Sequence, residues 1–495
     1  MKILNKLFHL DERNANVKNE VLGGLITFIA MCYILPVNAG ILSDMGMDKA
    51  GVFAITAIVS FIVTAIMGLV ANYPIALSAG MGLNAYLAYT IASQQGYTWQ
   101  QCMILLTVAG LIFFAFSLTP VRKIIIESIP KDLRCTISAC LGGFILFVGL
   151  RGSGIIVASS TLVGLGSFAD PGMLLAFVAV ILALVLTFSK RKTVSSLAIP
   201  IAIFSAAIIG VVISSLMING GFIVYVPETK TYAYATGVEI IDNCSVNLPI
   251  APWISNPSWG ISGVDKVFLY GLFDKTGGYD ANAFTSDLGK VFTNPTTYVA
   301  IFSLMFVNLF DTTATLIAVG EKTGIIDQDG KMQNYKKAVL ADATGAMICA
   351  PLGTSTVTSF AESNVGVSMG AKTGLAAFTT ACLFLISAFI FPVFSIFTSG
   401  SVTAAALVTV GAIITVNGIS GINKSDLTAC FTAVIAFMFA VLTYSISNGI
   451  GVGLIIYVLA MLISGRSKEI KLPIYIVTAL FVVAFALNTV INFLP

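Results

Sequence analysis

The chain has 495 residues, 57% of them hydrophobic and only 10% charged, against about 25% charged in a soluble globular domain. With a mean hydropathy of +0.96, this excludes a string of ordinary soluble domains and assigns most of the length to runs able to cross a bilayer. A net charge of +3 is too small to point to a partner, and no nucleic-acid interaction is expected. The single histidine, His9, and scattered cysteines without a CxxC pair argue against a metal or haem site, so no cofactor is expected.

Residues 1–20 mix Lys, Arg, Asp and Glu and lack a small-residue cleavage site, so the first apolar segment is expected to remain as the first span. Apolar segments then fall near 21–38, 51–71, 76–93, 101–119, 133–149, 173–189, 197–217, 296–319, 337–350, 353–370, 374–398, 402–417, 427–464 and 472–493. The shortest, 76–93 and 353–370, fall below the ~20 residues a full span needs and are rich in Gly, Ser and Thr. The run 427–464 is long enough for two short helices.

Basic residues in the short loops set the orientation. Lys2, Lys6, Arg13 and Lys18 open the chain. Arg122, Lys123, Lys131 and Arg134, then Lys190, Arg191 and Lys192, then Lys322, Lys331, Lys336 and Lys337 follow the fourth, sixth and eighth segments. Alternating spans put all of them on one side, predicting a cytoplasmic N-terminus and a cell-membrane location. The stretch 218–295 then lies outside, and its length predicts local structure. It reads as a solvated cap, with a role in gating as the alternative.

The two halves echo each other. Gly68 and Pro74 stand six apart, as do Gly345 and Pro351, and each pair leads into one of the short small-residue segments. Asn38 and Asp311 lie at comparable distances upstream. Gly/Pro-interrupted segments in corresponding positions point to a transporter's midplane site, because non-helical backbone survives in a membrane only where protein or a watery cavity supplies partners. Half-helices there would aim their N-terminal amides at a ligand. The plainer reading is that the small residues permit close helix packing.

Asn308, Asp311, Thr312 and Thr315 recur at i, i+3, i+4 and i+7, one stripe of an otherwise apolar helix. A carboxyl group in a span costs roughly 2.5 kcal/mol or more, which marks Asp311 as a functional candidate unless it sits at a water-facing helix end. Glu362 is the second, preceded by Thr354, Ser355, Thr356, Thr358 and Ser359, some of which could be helix caps. Burial disfavours the charged form of a carboxyl, so such a pair suits proton uptake and release. The same groups can accept or donate hydrogen bonds to a small polar solute. Competing motifs fail: GAKT at 370–373 lacks phosphate-loop spacing, and no nucleophile–base–His set is present. The two carboxyls as an intramembrane protease fit the repeat poorly, so no enzyme is expected.

The stretches NEVLGGLITFIAMCYILPVNAGIL, ANYPIALSAGMGLNAYLAY, FVNLFDTTATLIAVGEKTG, LADATGAMICAPLGTSTVTSFAESNVGVSMGAKTGL and LTYSISNGIGVGLIIY resemble the AzgA-like branch of the nucleobase–cation symporter-2 family, the adenine/guanine/hypoxanthine permeases. The resemblance implies an all-α membrane protein of about 14 spans in two inverted repeats of seven, with broken third and tenth segments. It implies a core domain (1–119 and 296–398), a gate domain (120–217 and 399–495) and the outer loop 218–295 between the halves. It further implies proton-driven import of a purine base, the core sliding against the gate in an elevator movement, with a homodimer left open. Asp311 and Glu362 would couple protons and read the base, with Asn38, Gly80, Met81 and Asn84 from the first and third segments. Thr354, Ser355 and Thr356 would add hydroxyl or backbone bonds, and Phe310 or Tyr86 would stack. Two positions depart from the family's pattern, Ala39 after Asn38 and Ala314 within DTTAT. Alternatives are a uracil/xanthine or anion carrier of the same fold, and a receptor or channel without coupled uptake.

Overall fold

The computed structural model describes residues 2–119, 129–159, 162–191, 194–195, 197–226, 231–236, 239–245, 248–249, 261, 263–272, 279–323, 325 and 333–493. Arg122, Lys123, Lys192 and Lys331 of the expected basic clusters lie outside these residues. Among the described residues, seven helical stretches are long and apolar enough to cross a bilayer: Val17–Ser43, Lys49–Ala71, Trp99–Leu118, Lys131–Gly152, Ala198–Asn219, Gly400–Ser420 and Ile446–Ile463. Shorter apolar helices stand with them, so this is a multi-pass membrane protein.

The first half runs α1 (Lys2–Phe8), α2 (Val17–Met31), α3 (Ile34–Ser43), α4 (Lys49–Ile66), β1 (Leu77–Ala79), α5 (Met81–Ala85), α6 (Trp99–Leu118), α7 (Lys131–Gly152), β2 (Ile156–Ser159), β3 (Leu162–Leu165), α8 (Pro171–Thr187) and α9 (Ala198–Asn219). Polar residues in the connections set where the helices begin. Asn16, Asp48 and Asp170 each accept a bond from an amide of the first turn that follows, and Thr98 and Gln101 form a reciprocal capping box on α6. The outer stretch has the expected local structure: a three-stranded antiparallel sheet of β4 (Ile223–Val226), β5 (Thr231–Thr236) and β6 (Glu239–Ser245), then α10 (Val264–Val267) and α11 (Ala281–Thr293). Val267 is fully buried and packs on α4, so the loop is seated on the helices and is more than a solvated cap.

The second half runs α12 (Pro295–Thr323), α13 (Tyr335–Leu352), β7 (Val357–Ser359), α14 (Ser363–Ser368), α15 (Gly374–Ser387), α16 (Phe391–Ser395), α17 (Gly400–Ser420), α18 (Leu427–Leu442), α19 (Ile446–Ile463) and α20 (Leu472–Phe493). The run 427–464 is indeed two helices, turned at Thr443–Ser445, where Tyr444 adopts a positive φ of 52° and Ser445 caps α19. The region 399–495 therefore holds four helices rather than the three expected of it.

Packing follows two patterns. α15 lies on α2 and α4, and α13 on α4 and α6; separately, α17 lies along α7, α8 and α9, with α18 and α19 against α7. The α7–α17 contact is a close approach of backbones. A Cβ on Gly142 would lie 2.4 Å from the Thr415 nitrogen, and one on Gly411 2.4 Å from that of Leu146. Small residues at such crossings let dispersion replace the hydrophobic drive that lipid does not provide.

The expected helical architecture holds, with short strands set into it. β1 and β7 form an antiparallel pair in the interior, with Leu77, Ser78 and Ala79 opposite Ser359, Thr358 and Val357, and β2–β3 and β4–β5–β6 add sheet elsewhere. The expected breaks in the third and tenth segments are present, and the reason for strand there is backbone satisfaction: each extended piece gives the other the partners that lipid withholds.

Candidate functional site

The two interrupted segments reach the interior by different local means. The helical stretch ending at Ala71 closes on Asn72 in the left-handed conformation, and Tyr73–Pro74 follows outside any regular element. α13 carries Pro351 in its last turn and closes on Gly353 at φ 103°, a conformation that favours glycine. Both segments then lead into β1 and β7. The crossing is closed at its ends by Gly80 N–H donating to the Thr356 carbonyl (2.9 Å) and Phe360 N–H donating to that of Ala76 (3.0 Å). Side chains satisfy the remainder: Thr64 Oγ1 accepts from Leu77 N–H and lies 2.9 Å from the Leu77 carbonyl, and Ser60 and Ser78 hydroxyls pair at 2.7 Å.

Beside this crossing lies a cavity of about 320 Å³, within the range of small-molecule sites. One wall is Gly80, Met81 and Gly82 with Thr358–Glu362; the other is apolar, from Leu141 and Ile145 of α7 and Val410, Ile413 and Ile414 of α17, ending in Asn417. Its lining also includes Thr187 and Ser195, which flank Lys190 and Arg191 in sequence. Of the expected site residues, Gly80, Met81 and Glu362 thus line one cavity. Glu362 is held by Tyr33, whose hydroxyl donates to Oε1 at 2.6 Å. The helical stretch 81–94 also begins at this wall, its first amides next to the cavity.

Asn38, Asn84, Thr354 and Ser355 are brought together behind that wall. Asn38 Nδ2 donates to Thr56 and Thr354 hydroxyls at 2.9 and 3.0 Å, while its Oδ1 accepts from Asn84 Nδ2 and Ser355 Oγ, both at 2.9 Å. All four hydrogen-bonding positions of the Asn38 amide are filled within the protein. These residues are buried and do not line the cavity; they tie segment one to both broken segments. Thr356 contributes its carbonyl to Gly80 and is likewise buried.

On α12, Asn308, Thr312 and Thr315 are buried along one stripe, as their spacing predicted. Phe310 and Asp311 belong to the same helix, and their side chains lie outside the described residues. Tyr86 does not line the cavity: its hydroxyl meets Ser447 at 2.5 Å, and Ser447 reaches Ser303. The aromatic ring at the cavity is Phe360, and a polar group in its wall is Ser359, whose buried Oγ has no partner among the described residues. Both sit inside the TSTVTSFAES run, so the signal was present, but its alternation was not read as a strand. Tyr33 was missed because a tyrosine in an apolar span carries no sequence mark. Asp342 was missed because it falls in a run read as apolar. It is fully buried and accepts from Thr312 Oγ1 at 2.8 Å.

The sequence matches the Permease family, Xan_ur_permease, over residues 18–452. The chain belongs to this family. Relatives of this permease include the guanine/hypoxanthine permease PbuO of Bacillus subtilis (strain 168), 35% identical over 480 residues that span 96% of this chain and 98% of the relative. The adenine permease AdeQ of Escherichia coli (strain K12) is 31% identical, spanning 97% of this chain and 95% of its own. The resemblance to adenine/guanine/hypoxanthine permeases therefore holds along nearly the whole permease, which is a transporter rather than an enzyme. Among solved structures, the transmembrane domain of a cyanobacterium bicarbonate transporter, BicA, matches with a TM-score of 0.54 at 12% identity, covering 88% of this chain and 97% of that one. SLC26A9 matches with a TM-score of 0.54 at 12% identity, covering 94% and 69%. These likenesses concern the fold.

Proposed function

We propose that this permease imports a purine nucleobase by proton symport across the cell membrane, its N-terminus cytoplasmic. The observation that carries the reading is Glu362, a carboxyl in a bilayer-spanning protein, set in the wall of a cavity beside the β1–β7 crossing. A flat heterocycle presents N–H donors and ring acceptors at its edge. Glu362 accepts when ionised, and the amides at Met81 and Gly82 and the Ser359 hydroxyl offer donors close by. The apolar wall of Leu141, Ile145, Val410 and Ile413 suits the ring faces, with Phe360 available for stacking. The relatives named as guanine/hypoxanthine and adenine permeases support the choice of a purine.

Asp311 joins Glu362 as the proton-coupling pair in this reading, on the strength of its place on the polar stripe of α12. The two packing patterns, α2, α4, α6, α13 and α15 against α7, α8, α9, α17 and α18, support a core and a gate that slide past each other. With the basic loops cytoplasmic, the lining residues Thr187 and Ser195, close in sequence to Lys190 and Arg191, support an inward-facing cavity. An anion as substrate is disfavoured, because no Lys or Arg lines the cavity among the described residues.

Uptake of radiolabelled adenine, guanine, hypoxanthine, xanthine and uracil in cells lacking their own carriers tests the proposal. Protonophore-sensitive accumulation of a purine is expected, and Asp311→Asn should abolish accumulation while leaving insertion intact. Uptake of uracil or xanthine alone would shift the substrate class within the fold. No uptake of any base, or accumulation by Asp311→Asn at the wild-type level, would overturn the reading.

A further inference from the structure

We propose that Tyr33 is a positioning residue that makes the two oxygens of Glu362 inequivalent and reserves one of them for substrate and proton. The inference rests on the reading of Glu362 as the substrate carboxyl. Tyr33 stands at the junction of α2 and α3, where the first segment is interrupted, and is 3% exposed. Glu362 stands at the start of α14, in the interruption of the tenth segment. Two breaks 329 residues apart in sequence thus meet through one hydrogen bond of 2.6 Å from the Tyr33 hydroxyl to Glu362 Oε1.

A phenol is neutral throughout the physiological range and carries one proton to donate. Donation to Oε1 engages that oxygen as an acceptor, and Tyr33 makes no bond to Oε2. A free carboxylate could turn about its last torsion and offer either oxygen. Anchored at Oε1, it presents Oε2 to the cavity in one orientation. A proton taken up by Glu362 is therefore directed to Oε2, the same atom that accepts an N–H from the substrate when ionised. Substrate recognition and protonation then share one atom, and Tyr33 fixes which.

Equilibrium binding of radiolabelled hypoxanthine and infrared spectra, measured on purified wild type, Y33F, E362Q and the double variant, test this. Charge-assisted hydrogen bonds are strong enough that Y33F should weaken binding about tenfold. Acting only through Glu362, Y33F should add nothing to the loss in E362Q; independent structural effects would multiply. The carboxyl band absent from E362Q should move to higher wavenumber in Y33F, as its carbonyl loses a donor. Wild-type affinity in Y33F, or multiplying losses, would overturn the proposal. If wild type binds no nucleobase, the function proposed above fails, and the infrared comparison decides Tyr33 by itself: an unmoved band overturns its role.

Discussion

At the β1–β7 crossing, extended backbone, hydroxyls, amides and a carboxyl gather in the interior of a membrane protein. Along α7 and α17, two unbroken helices instead meet through glycine and small side chains. Both regions line the same cavity. The first is specific because each polar group needs a partner at a set distance and direction. The second is close-fitting because nothing projects between the backbones, so it can be apolar and still be well defined. On the function proposed, recognition falls to the broken side and wall-building to the unbroken side.

The largest expected effect separates the two at once. Glu362→Gln removes the carboxylate acceptor and should cost on the order of 100-fold in affinity for the transported base, from about 2–3 kcal/mol of charge-assisted bonding. The protein should still reach the membrane; binding to purified protein measures the loss, and unchanged affinity would break the division of roles. Gly411→Val tests the other side. Its new side chain would start where the Leu146 nitrogen stands 2.4 Å away, and neither backbone can yield cheaply. Destabilisation of about 3 kcal/mol is expected, as for an overpacked core, read as a fall in Tm in detergent; an unchanged Tm would mean that the helices are not held so closely.

A smaller change sharpens the role of the buried amides. Asn38→Ala leaves Asn84 Nδ2 and Ser355 Oγ without their acceptor and removes the amide donation to Thr56 and Thr354. About 1–3 kcal/mol of stability should be lost. Since Asn38 does not line the cavity, affinity for the base should fall less than in Glu362→Gln. Equal losses of affinity would place Asn38 at the ligand.

The smallest effect lies outside both regions, where Arg466 bridges Asp426 (2.7 Å) and Glu469 (2.8 Å) at the ends of α18 and α19. The guanidinium holds both carboxyls below their ordinary range. Their contribution is thus fully present above about pH 4–5 and is lost as pH falls through the lowered values. Arg466→Ala should flatten the acid limb of Tm against pH slightly and leave the neutral value almost unchanged, because exposed pairs are screened.

Much of this was legible in the sequence. The apolar runs, the split of 427–464 and the interruptions near Pro74 and Pro351 follow from residue type, since lipid allows few solutions for a backbone. Glu362 was marked by the polar density around it, and Gly80 and Met81 by the family resemblance. The strand pairing was not legible, because a segment of three residues has no period to read and acquires its partner from the other half of the chain. Asn38 was marked as a site residue by the family resemblance, yet its four bonds are all internal, a fact that depends on Thr56, Asn84, Thr354 and Ser355 arriving from three other segments.

The sequence by itself determined that this is a membrane transporter with two interrupted segments and carboxyls in its spans, because hydropathy, small-residue clustering and charge are local and their costs in lipid are large. The tertiary structure alone decided which polar groups face the cavity and which serve as struts, that Tyr33 holds Glu362, and that the opposite wall is apolar. Those outcomes depend on distances between residues hundreds apart in sequence, and a hydrogen bond exists only where such a distance closes to about 3 Å.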